Sequence, residues 1–184
     1  MNRRTAIRRL ATFFLTTASL AQAQRPARIP RIGILAASSA SSESARVEAF
    51  RRRLRQLGYV EGKNIVIEYR YAEGKLERLP DLAAELVRLK VDVIVTTGQA
   101  ILAVKKPTAT IPIVMVGVAD PVATGIVVSL ARPGGNITGV SDLSDGLGAK
   151  NLEFLLAIVR GIRRVAVLFD PSDPVTWIIL KDVE

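Results

Sequence analysis

The sequence predicts an α/β protein built on a doubly wound parallel sheet. Val91–Val95 (VDVIV) and Ile111–Val118 (IPIVMVGV) are strongly apolar, β-branched runs of strand length, the pattern of strands buried on both faces of a parallel sheet. Each ends in a small or polar cluster, Thr96-Thr97-Gly98-Gln99 after the first and Ala119-Asp120-Pro121 after the second. Such runs alternate along the chain with stretches of helical periodicity in the order β-α-β-α-β-α-β-α-β. That order implies parallel strands joined by right-handed crossovers.

A chain of 184 residues that is 49% apolar has room for one core, or one and part of a second. It contains no Cys and no His. This excludes disulfides, thiolate or imidazole metal sites, Cys nucleophiles and His-based triads. The net charge of +9 is partly local, since Arg3, Arg4, Arg8 and Arg9 lie in a leading segment without a single acid. Arg51-Arg52-Arg53 with Arg55 reads as a solvated helix face, because no aromatic residues interleave with it as stacking platforms for a nucleic acid. No nucleic-acid partner is expected.

Residues 1–23 read as an export signal. A basic start precedes a moderately apolar Leu10–Leu20, and Ala21-Gln22-Ala23 supplies the small-x-small cleavage pattern. The two arginine pairs are compatible with the twin-arginine route. The apolar part is shorter than the ~20 residues that span a bilayer, so the mature chain is expected in the periplasm and not to span the membrane.

Arg31–Ala36 (RIGILA) is the first strand, and Ala37–Ser44 (ASSASSES) follows it. One serine there caps a helix well; the others are available to a ligand. Ala45–Leu57 is an amphipathic helix stopped by Gly58. Ile65–Tyr71 alternates apolar and polar residues, as a strand nearer the sheet edge does. Leu76–Leu89 is a second helix with Pro80 in its first turn. After the central strand pair, with its short helix Ala100–Lys106, come a third helix over Val122–Ala131 and a short strand over Asn136–Val140. Ser141–Leu147 is turn-rich and leaves the sheet. Gly148–Val159 is helical with Leu152, Leu155, Leu156 and Val159 at core spacing, and Arg163–Asp170 is a new buried strand.

The glycines form no phosphate loop. Arg132-Pro133-Gly134-Gly135-Asn136 lacks the Lys-Ser/Thr pair, and Gly146-Leu147-Gly148 lacks the spacing of a dinucleotide fingerprint. Asp120, Asp142 and Asp145 have no partner base or nucleophile, so neither a metal site nor a catalytic residue is expected, and no cofactor.

The run IPIVMVGVADPVATGIVVSLARPGGNITGVSDL, then Lys150-Asn151-Leu152-Glu153 and RRVAVLFDPSDP, resembles the substrate-binding proteins of bacterial ABC transporters, in the group of tryptophan and tyrosine binders. FRRRLRQLGYVEGKNIVIEYRYAEG matches the same group, and the similarity spans Arg31 to Pro174. The resemblance implies a type I periplasmic binding fold with residues 31–140 as the N-terminal lobe and residues 141–184 as the crossover and an incomplete start of a second, similar lobe. It implies no catalysis, but capture of a small ligand, an aromatic or other amino acid, for permease subunits of an importer. The ligand-binding residues it points to are Ser38, Ser39, Thr97, Gly98, Gln99, Asp120, Pro121 and Asp142. A carboxylate suits hydroxyl and backbone N–H donors, and an ammonium suits a carboxylate such as Asp120. An α/β enzyme acting on a sugar or nucleotide, or a periplasmic sensor lobe, remain the alternatives.

Overall fold

The computed structural model describes residues 28–142 and 147–168, with residues 177 and 180. The export-signal reading and the Asp145 part of the acid cluster lie outside the described residues.

Strand β1 (Arg31–Ala36) leads through Ser39 into helix α1 (Ala40–Gln56). Strand β2 (Val66–Tyr71) is followed by a 3₁₀ turn (Leu76–Arg78) and helix α2 (Leu79–Arg88). Strand β3 (Val93–Thr97), the short helix α3 (Ala100–Lys105), β4 (Ile113–Ala119), β5 (Ile137–Asp142) and α4 (Leu147–Ile158) complete the order. The five strands form one sheet in the order β2-β1-β3-β4-β5, with every neighbouring pair parallel. β2 is an edge strand, as its alternating pattern indicates.

Strand alternation sorts the side chains onto two faces. Leu35, Ile94, Ile113 and Ile137 join Leu82 and Leu86 of α2 and Ile101 and Val104 of α3 in the main core. Ile32, Ile34 and Ile67 form a smaller core on the other face, with Phe50 and Leu54 of α1 against it. Gly33 has a packing reason, since a Cβ there would stand 3.0 Å from both Leu86 methyls. A glycine in the middle of β1 lets α2 sit down on the sheet.

The structure corrects the sequence reading in four places. Val122–Ala131 is a series of turns and not a helix. Gly125 takes a φ of +68°, and the Pro121 carbonyl accepts from both Ile126 N–H (2.9 Å) and Val127 N–H (3.0 Å). That folds two adjacent apolar side chains, Ile126 and Val127, into the main core. Residues 163–168 form no strand and are exposed; an apolar run becomes a strand only with a ladder partner, and none pairs with it among the described residues. Helix α4 forms, yet none of its residues is buried, and Leu155, Leu156 and Val159 are exposed. Finally, β5 continues through Ser141 and Asp142, because a bulge in β4 between Val116 and Val118 lets the pairing resume at Val118 with Ser141.

Candidate functional site

Because all five strands are parallel, their carboxyl ends share one edge of the sheet. The chain leaves β1 toward β2 and then returns past β1 to β3, so the winding reverses between β1 and β3. At such a switch point the following loops diverge and open a crevice where ligands bind in doubly wound sheets. All eight residues singled out in the sequence fall on this edge: Ser38 and Ser39 after β1, Thr97 ending β3 with Gly98 and Gln99 beyond, Asp120 and Pro121 after β4, and Asp142 ending β5. Register places Asp142 beside Ala119, next to Asp120.

At the β1 corner the serines divide their work. Ser39 is the N-cap of α1, its Oγ accepting from Ser42 N–H at 3.2 Å. Ser44 donates to the Ser41 carbonyl at 2.8 Å. Ser38 is half-buried and donates from Oγ to Glu43 Oε1 at 2.5 Å. Glu43 is only 5% exposed, and Arg46 Nη1 lies 3.0 Å from the same oxygen. The loop after β2 is tied to this corner: Glu73 N–H donates to the Ser38 carbonyl (3.3 Å), and Gly74 N–H donates to that of Ala37 (2.8 Å). Burial, and then the charge of Glu43, push the Tyr71 phenol above its ordinary range.

At the β3 corner Thr97 and Gln99 are half-buried, and Gly98 has a φ of +51°. Thr96, one residue earlier, is fully buried, and its Oγ1 has no hydrogen-bond partner among the described residues. Alternation with Ile94 turns it toward the main core. Gln99 also lines a groove of about 670 Å³ between the start of α2 and α3, where Leu76, Leu79 and Leu102 form the wall. This groove meets the strand edge only through Gln99.

At the β4 corner Asp120 holds a φ of +33°, a backbone conformation uncommon outside Gly, Asn and Asp. Its Oδ1 accepts from Ala123 N–H at 2.8 Å, and its carbonyl accepts from Thr124 N–H (3.1 Å) and Thr124 Oγ (2.8 Å). One carboxylate oxygen therefore builds the turn, and the other has no hydrogen bond among the described residues. The exposed Asp142 carboxylate lies beside Gly117, where a Cβ would come 3.5 Å from Oδ2. Gly117 has a φ of +61° at the bulge.

The edge thus carries Glu43, Glu73, Asp120 and Asp142, with Arg46 already paired. Among the described residues no group of three or more acids, Cys or His is placed to hold a metal. No helix there is long and apolar enough to cross a membrane. Away from the edge, Arg51 is used structurally: it donates to Glu48 (2.8 Å) and to the Tyr69 hydroxyl (2.9 Å), pairs with Glu61 (2.9 Å) and stacks over the Tyr69 ring. Glu43 was not singled out in the sequence; its only signal there is a lone acid inside a serine run.

Residues 31–180 match the model of a family described as ABC transporter substrate binding protein. A tyrosine-binding protein of Clostridioides difficile (strain R20291) is 34% identical over 129 residues, covering 68% of this chain and 36% of that protein. A conserved domain protein from Vibrio cholerae has a similar structure, with a TM-score of 0.75 at 27% identity over 85% of this chain and 52% of its own. An ABC domain in complex with L-Trp from Streptococcus pneumonia gives a TM-score of 0.73 at 23% identity, over 84% of this chain and 52% of its own, a likeness of fold. The ligand-free, open structure of a substrate binding protein with adhesive properties from Clostridium difficile gives 0.64 at 27% identity, over 84% and 52%. The chain therefore spans about a third of the curated relative and about half of each solved chain.

Proposed function

The chain belongs to the family of ABC transporter substrate binding proteins, and from that premise we propose that it supplies the N-terminal lobe of the solute-binding component of an importer. The lobe captures an amino acid with an aromatic side chain in the periplasm and hands it to permease subunits, without catalysing a reaction. The observation that carries this is that the loops after β1, β3 and β4 share one edge of the sheet with the end of β5, beside the switch point between β1 and β3. In this reading the lobe runs from residue 31 to the end of β5 at Asp142. The bound tryptophan of one structural neighbour and the name of the tyrosine-binding relative support the ligand class.

An amino acid asks for two opposite sets of partners. Its ammonium offers three donors and takes acceptors or carboxylates; its carboxylate takes N–H and O–H donors. The candidate edge holds both kinds, with Asp120 and Asp142 on one side of the crevice and Thr97, Gly98 and Gln99 between β1 and β4. Isothermal titration of the protein, expressed from its native gene, against the twenty amino acids tests the proposal. Saturable binding of tyrosine or tryptophan is the expected result. Heat-silent titrations with all twenty, confirmed by unchanged melting temperatures, would overturn it.

A further inference from the structure

We infer that Glu43 sets the polarity of the β1 corner, turning Ser38 into a hydrogen-bond acceptor so that this corner takes the ligand's ammonium and refuses its carboxylate. The inference rests on the amino-acid reading above. A serine hydroxyl has one proton and two lone pairs. A carboxylate only accepts, so the 2.5 Å contact between Ser38 Oγ and Glu43 Oε1 commits the Ser38 proton to Glu43. The distance falls in the range of charge-assisted O–H···O⁻ bonds. The lone pairs of a half-buried hydroxyl are what remain for a ligand, and lone pairs receive N–H groups.

The surroundings point the same way. The start of a long helix is the expected place for an anion, because its first N–H groups lack partners. In α1 part of this offer is taken up internally. Ser39 Oγ receives Ser42 N–H at 3.2 Å, the Ser39 carbonyl receives Glu43 N–H at 3.1 Å, and Glu73 Oε1 receives Ala40 N–H at 3.4 Å. Arg46, a cation at this corner, is spent on Glu43. A ligand carboxylate placed here would meet the carboxylates of Glu43 and Glu73, and the Ser38 proton and the Arg46 guanidinium are already engaged. An ammonium would meet the Ser38 lone pairs, backed by a buried negative charge. Two strand spacings, about 10 Å, separate β1 from β4, a gap that Ser38 and Asp120 can bridge through one ammonium from opposite sides.

Glu43 is thus a positioning residue that acts through Ser38. Titrations with L-tyrosine and L-tryptophan, with tyramine and tryptamine (no carboxylate), and with 3-(4-hydroxyphenyl)propionate and 3-indolepropionate (no ammonium) test this on the full protein. Wild type is expected to favour the amines over the acids. In Glu43→Gln and in Ser38→Ala, affinity for the ammonium-bearing ligands should fall at least tenfold while that for the acids changes less than threefold. A merely structural role for Glu43 weakens both classes together, which leaves their ratio within twofold of wild type and overturns the inference; Ser38→Ala, a small change at a half-buried loop residue, keeps the test valid if Glu43→Gln folds poorly. If wild type binds neither amino acid, the amino-acid reading falls, and this inference with it. Tight binding with an unchanged ratio in both variants removes this inference alone.

Discussion

Gly139 passes the backbone of Met115 so closely that any side chain at position 139 would overlap the Met115 carbonyl oxygen and amide. The two residues are partners in the β4–β5 ladder, and Gly139 holds a φ of +146°. This contact lets β5 carry Asp142 to the candidate edge.

Gly139→Ala should therefore unzip β5. The clash is with backbone, which cannot swing aside, so the loss belongs with the large effects of strain at a special conformation, about 3 kcal/mol or more. Urea denaturation followed by circular dichroism should show a clearly lower midpoint. An unchanged midpoint would mean that β5 contributes little to the fold.

Thr96→Val should stabilise the protein. The hydroxyl is fully buried and has no partner among the described residues, and a buried polar group without a hydrogen bond costs about 1–3 kcal/mol. Valine has nearly the same shape. A higher urea midpoint is the expected result; a lower one would show that a buried water serves the hydroxyl.

Asp120 has two duties that different substitutions separate. Asp120→Ala removes both the turn acceptor at Ala123 N–H and the charge, and should lose about 0.5–2 kcal/mol of stability, as lost caps do. Asp120→Asn keeps the acceptor and tolerates the positive φ, so its melting temperature should match wild type. Its affinity for an amino acid should still drop by about 10–100-fold, the worth of a hydrogen bond to a charged group. Full affinity in Asp120→Asn would clear Asp120 of any part in holding the ammonium.

The pH dependence at the alkaline end follows from Tyr69 and Tyr71. Burial, as the leading cause, raises both phenols above their ordinary value of 10.0. The folded state then holds these protons more tightly than the unfolded chain. The associated stability is complete below pH about 10 and is lost as pH rises through the folded values. Melting temperatures taken from pH 8 to 11 should fall at the upper end, and the fall should shrink in Tyr69→Phe together with Tyr71→Phe. An equal fall in the double variant would assign it to other groups.

Much of the fold was legible because its signals are local. Continuous β-branched runs, amphipathic spacing and stop residues such as Gly58 act over a few positions, and they placed all five strands to within two residues; the first helix starts at Ala40, five residues before the Ala45 that its periodicity indicates, because the serine run itself joins its first turns. Parallel strands must present their carboxyl ends together, so the loops of the candidate site could be gathered on one edge before any coordinates existed.

What the tertiary structure alone decided depends on which segments meet. The strand order β2-β1-β3-β4-β5, and with it the switch point, is a matter of pairing between distant residues. Ile126 and Val127 lie in a tucked turn in which both side chains join the main core, and this burial overrode a weak helical pattern. Residues 163–168 have every local property of a strand and lack a ladder partner among the described residues. Glu43 and Ser38 lie five positions apart, but the turn from β1 into α1 points one at the other and buries Glu43. Local periodicity records which way a side chain faces along its own element; the group it faces is set by the packing of the others.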